Sequence, residues 1–143
     1  MSLGKLEPED VAYLYDMASN SAFPHGFAEY NLYAEQELAR GRWPAAWIPR
    51  SKKEEKGAII AEAILRELKI LICENDPKYR DVISSTKRFV QRAIAAIAGY
   101  VAATFDIQIA LATSAVAACL LVVVRVGREA FCRALYEKAP KTK

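Results

Sequence analysis

Apolar residues recur at helical spacing along most of this chain, and in its last third the polar residues between them disappear. Pro8-Glu9-Asp10 opens a first helix, with proline in the first turn and two carboxylates at the positive end of the dipole. Val11, Leu14, Tyr15 and Ala18 then share one face. Ser19-Asn20-Ser21 and Pro24-His25-Gly26 interrupt the pattern. A second helix is expected over Phe27 to Arg40, with Phe27, Tyr30, Tyr33, Ala34 and Leu38 on one side and Gly41 as its stop. The segment Arg42 to Pro49 is too proline-bound for a long helix, and the charged stretch Arg50 to Gly57 reads as a solvated linker or first turn.

A third helix is expected over Ala58 to Glu74, apolar except for a stripe of Glu62, Arg66 and Lys69. Asn75-Asp76-Pro77 caps a fourth, which starts amphipathic, with Tyr79, Val82, Ile83, Thr86 and Val90 inward. From Ala93 to Val124 the chain carries a single charge, Asp106, between a cluster of Lys87, Arg88 and Arg92 and a basic C-terminal segment beginning at Arg125. The last helix is expected to continue from Asp106 to Lys138, ended by Ala139-Pro140. No strand-type alternation and no repeat interrupts this series. The expected fold is all-α: one domain over 1–143, a bundle of about five helices, with an aromatic-rich part at 8–57 and long helices at 58–143 that include an apolar antiparallel hairpin at 93–124.

The hairpin is suggested by two ridges of small residues, Ala95, Gly99 and Ala103 before Asp106 and Ala110, Ser114 and Ala118 after it. A fold-back at Asp106–Ile107 sets small opposite small, with Gly99 facing Ser114, and Asp106 capping the second arm. Two homes fit such a hairpin. Ile107 to Val124 is 18 residues without charge, long enough to cross a bilayer, and the basic clusters would keep both ends of the hairpin on the cytoplasmic side. Ala93 to Phe105 is only 13 residues, about 20 Å of helix, which falls short of the bilayer. The preferred alternative is the buried centre of a soluble bundle, since the other helices supply apolar surface to cover it. Residues 13–47 hold eight of the fourteen aromatic side chains, so that region needs a large apolar neighbour. Trp43 and Trp47, near Arg40, Arg42 and Arg50, are candidate contacts to a partner or a membrane interface.

Composition changes this picture little. A net charge of +3, with no CxxC pair and no zinc-finger spacing, gives no reason to expect nucleic acid. Cys73, Cys119 and Cys132 lie in apolar helical stretches, and their odd number and wide spacing suggest free thiols in a reducing compartment. Met1 to Glu9 lacks an apolar leader core, which points to the cytoplasm.

Candidate chemistry is sparse. His25 is the only histidine, so no two-histidine metal site can form, and its place between Pro24 and Gly26 suits a surface turn. Phosphate-loop, dinucleotide and nucleophile-elbow motifs are absent. Asp16, Glu29, Glu35 and Glu37 put carboxylates among aromatics, as an acid–base pair requires, but solvated helix faces explain them equally well. Ser84-Ser85-Thr86 beside Lys87-Arg88 could accept a modification or contact phosphate, or simply sit on a polar helix face. No catalytic residue, cofactor, metal or small-molecule ligand is expected. The expectation is a non-enzymatic interaction protein that associates with itself, a C2 dimer being the simplest form. A membrane-inserted anchor or pore-type effector with a cytosolic head is the rival, and an enzyme using the N-terminal acidic residues comes third.

Overall fold

The computed structural model describes residues 6–19, 23–74, 76–83 and 88–134. Among these, seven α-helices form and no strand does: α1 (Pro8–Ala18), α2 (Phe27–Ala39), α3 (Lys52–Cys73), α4 (Arg80–Ile83), α5 (Phe89–Phe105), α6 (Ile109–Val126) and α7 (Arg128–Arg133). The molecule is an all-α bundle. Its centre is α6, against which α1, α2, α3, α5 and α7 all pack.

Local signals explain most boundaries. A reciprocal capping box between Glu7 and Asp10, with Pro8 in the first turn, starts α1. Gly41, at φ +76°, takes the chain away from α2. α3 begins six residues before the expected Ala58. Ser51 accepts a hydrogen bond from the Glu54 amide at 3.3 Å, and Glu54 and Glu55 sit where the helix dipole favours anions. The charged stretch is therefore the solvated opening of a helix. The spacing Ser51-x-x-Glu54 was the sign of it.

The fourth expected helix is not continuous. A 3-10 turn at Pro77–Tyr79 leads into α4, and α5 starts afresh after Arg88, which stands at φ +58°. Tyr79, Val82 and Val90 are buried as expected, whereas Thr86, the side chain of Ile83 and most of the Ser84–Arg88 cluster lie outside the described residues. The last helix also breaks, at Gly127 with φ +100°, so that α7 is a separate short helix; the expected end at Ala139-Pro140 falls outside the described residues.

Asp106 does mark a turn, but as a helix stop. It adopts the left-handed conformation at φ +55° and ψ +52°, and the Ile107 amide reaches back to the Ala102 carbonyl at 3.2 Å. It does not cap α6, whose N-cap position is held by Gln108 without a side-chain bond. The helices on either side of this turn do pack on each other.

The expected ridge pairing is not how they do so. Ala95, Gly99, Ala103 and Ala110 are exposed, Ala118 is half-buried, and only Ser114 is buried. A Cβ built on Gly99 would meet nothing within 4 Å. Instead α5 turns Val90, Ala93, Ile94, Ile97, Ala98 and Val101 inward. Burying a Val or Ile side chain is worth ~1.5–3 kcal/mol, far more than an alanine methyl offers, so the branched face took the core and the small-residue face was left outside. Gly99→Leu, studied in dilute solution, should accordingly melt at or above the parent temperature. A clear fall would mean that position 99 is enclosed.

Two further features tie the bundle. Cys73, the last residue of α3, and Cys132 in α7 form a disulfide with Cα atoms 5.5 Å apart. This corrects the expectation of three free thiols; the break at Gly127 brings Cys132 to α3, which spacing along one uninterrupted helix could not show. Cys119 alone is free and buried. The second tie is a close backbone crossing where Gly57, in the second turn of α3, meets the turn before α2. The Gly57 amide donates to the His25 carbonyl at 3.2 Å, and Gly26 stands at φ +90° against the backbone of Glu54.

Candidate functional site

Trp43 and Trp47 belong to the bundle's wall. Trp43 is 5% exposed, its ring 6.4 Å from that of Phe131, with the Lys69 ammonium at 5.5 Å and the Arg66 guanidinium at 5.7 Å from its centroid. Its indole nitrogen donates to Glu62 at 3.4 Å, and Arg66 donates to the same carboxylate at 2.8 Å. Lys69, expected on a polar stripe, is buried, and burial lowers its pKa. It donates to the carbonyls of Phe131 and Cys132, each at 3.5 Å. This cation–aromatic stack locks α7 onto α3. Trp47 is half-buried and its ring stands nearly perpendicular to that of Tyr30, at 5.7 Å between centroids. The Tyr30 hydroxyl donates to the Pro44 carbonyl, and burial raises its pKa. Tryptophan fluorescence should therefore be of two kinds. Trp47→Phe should leave blue-shifted emission that resists acrylamide, and Trp43→Phe should leave a more quenchable signal. Equal quenching in both variants would contradict this packing.

A second buried polar group was not foreseen. Glu67, 7% exposed, accepts from the Tyr79 hydroxyl and from Lys78 at 2.8 Å. Burial raises the Tyr79 pKa and the bond to Glu67 adds to it. Each charge has its partner, so the cluster reads as a clamp holding the Pro77–Tyr79 turn on α3.

The acidic candidates are dispersed. Asp16 is exposed on α1. Glu35 pairs with Arg125 at 3.0 Å. Glu37 pairs with Arg42 at 2.9 Å, whose hydrogen bond holds the carboxyl below its ordinary range. His25 and Glu29 line one depression, of about 210 Å³, together with Phe23, Pro24, Gly26 and Ala28; both are exposed to water. An apolar groove of about 260 Å³ runs between α2 and α6 along Phe27, Leu32, Ala118 and Val122. Burial raises the pKa of the Cys119 thiol, which faces Asn31 at 3.5 Å, so it is no ready nucleophile. Among the described residues no three His, Cys, Asp or Glu side chains come together as a metal site would require.

Among the described residues, an open face runs along the outer side of α5 and continues onto the start of α6. Ala95, Ala96, Gly99, Ala103 and Ala110 are exposed there, with Tyr100 at 42% and Ile109 at 56%. Ala95, Gly99 and Ala103 are thus gathered on one surface, separate from Ser114 and Ala118 in the bundle. Comparison with protein-family models, with curated proteins and with solved structures returns no match.

Proposed function

We propose that this chain is a non-enzymatic helical protein that works by surface contact, in the first place with copies of itself. One observation carries the reading. The most apolar helix, α6, is wrapped by five neighbours from Ala112 to Val123, while the adjoining face of α5 carries short apolar side chains into solvent. A monomer that hides its most hydrophobic element and leaves a flat small-residue face open is suited to docking. Of the candidate carboxylates, Glu35 and Glu37 are held in ion pairs, and Glu29 meets His25 only in a shallow, water-exposed depression, which favours surface contact over catalysis.

A membrane-inserted protein is the second reading. Ile109–Val126 has a mean hydropathy of 2.4 and the length to cross a bilayer, with 56% of it buried in the bundle. Insertion would strip α6 of its neighbours and uncover Leu14, Phe27, Ile60, Ile64 and Leu68, all within 1% of full burial. That cost favours the soluble bundle. The Cys73–Cys132 bond also leaves the cytoplasmic reading without its cysteine argument, because such bonds persist mainly in oxidising compartments. Fractionation after mild expression separates the two readings. Recovery in buffer without detergent supports the bundle, and recovery only after detergent extraction would overturn it.

A further inference from the structure

The exposed face of α5 has a symmetry of its own. Arg92, Ala95, Gly99, Ala103 and Asp106 follow one another at steps of three or four residues, and all are exposed. Gly99 is the midpoint: Arg92 and Asp106 lie seven residues to either side of it, Ala95 and Ala103 four. We propose that this face docks on the same face of a second copy, the two α5 helices antiparallel about a twofold axis at Gly99. This deepens the self-association reading and rests on it.

In that arrangement Gly99 lies against the partner's Gly99, Ala95 against the partner's Ala103, and Arg92 against the partner's Asp106. No side chain larger than a methyl stands between the two backbones at the axis, so the helices can approach closely. The charges favour the same geometry. α5 has no acidic residue in its first turn and no basic residue in its last. It carries Arg92 near its N-terminus and Asp106 at its C-terminus, each at the end where the helix dipole opposes it. Within one chain both charges are misplaced. Across an antiparallel pair each meets its opposite, twice per dimer, and the two dipoles also run in opposition. Isologous contact demands this kind of self-complementarity. Tyr100, with the Lys78 ammonium 4.9 Å from its ring centroid, borders the face on one side.

The contact is small. From Arg92 to Asp106 the helix runs about 21 Å, and short side chains bury little area, which places the dimer at the weak end of specific association, with dissociation in the micromolar range or above.

Cross-linking of the full chain tests this. Ala96→Cys, beside the axis rather than on it, should be joined into a dimer by a short bis-maleimide in detergent-free buffer, whereas Leu32→Cys, on the exposed side of α2, should not. Arg92→Asp sets like charges against each other and should weaken the dimer about tenfold or more. Arg92→Asp combined with Asp106→Lys restores opposite charges and should recover it, which a folding defect could not do. If the protein dimerises by mass while Ala96→Cys fails to cross-link, or the double charge swap fails to recover what Arg92→Asp lost, the α5 contact is overturned and self-association stands. A chain that stays monomeric at every concentration overturns both. If phosphatidylcholine vesicles shield the thiol of the Ala96→Cys variant from a maleimide, with no cross-linked dimer, the face belongs to lipid and the proposal is overturned.

Discussion

Gly57→Ala should lower the melting temperature by on the order of 10 °C, while Gly99→Ala, the same substitution in another helix interior, should raise it by a few degrees. Helix propensity favours alanine by ~1 kcal/mol at both sites. At Gly99, in solution dilute enough to keep the chain monomeric, nothing opposes that gain, since the new methyl meets open space. At Gly57 the methyl carbon would stand 2.3 Å from the His25 carbonyl oxygen and 2.4 Å from the Phe27 nitrogen. Both are backbone atoms, so no side chain can rotate aside, and the turn before α2 must move. Overpacking of a tight site costs ~1–3 kcal/mol, occasionally more. Here the Gly57–His25 backbone bond is lost as well, and a net loss of ~3 kcal/mol is expected. Paired thermal melts followed by circular dichroism at 222 nm read both signs. Equal shifts at the two positions would contradict the close crossing of α3 and the α2 turn.

Breaking the Cys73–Cys132 bond should have an effect of similar size. The bond closes a loop of 59 residues, and restricting a loop of that length in the unfolded chain is worth ~4 kcal/mol in the chain-entropy model. A thiol reductant, or the pair Cys73→Ser and Cys132→Ser, should lower the melting temperature by on the order of 10 °C. Cys119 is fully buried and should resist alkylation until the bundle opens. An unchanged melt under reductant, or three alkylatable thiols in the native protein, would contradict the tie between α3 and α7.

Helix existence was legible in the sequence because it rests on local chemistry. Pro8 with Glu9 and Asp10, Gly41 after α2, and Asp76-Pro77 each act within one turn, and each marks a boundary in the fold. Ser51-x-x-Glu54 is equally local, yet the run of charges around it masks it. Pairing was not legible. The small residues at positions 95, 99 and 103 are regular, but α5 has a second face with Ile94, Ile97 and Val101, and periodicity cannot say which of two continuous faces turns inward. Comparing their apolar volumes would have favoured the branched face. The disulfide depends on a break at Gly127, and a lone glycine in an apolar run is a weak stop signal. Gly57 offered a better clue, since a glycine inside a helix is costly unless a backbone passes close by. Trp43 plainly needs shelter, but Lys69 and Phe131, which provide it, come from parts of the chain 26 and 88 residues further on.

Sedimentation equilibrium of the unmodified protein, without detergent and over a wide concentration range, bears most directly on whether this is a soluble helical bundle that associates with itself. The expected result is a mass that rises from 15.9 kDa toward twice that value as concentration increases. A constant 15.9 kDa at all concentrations, or a protein that stays in solution only with detergent, would contradict it.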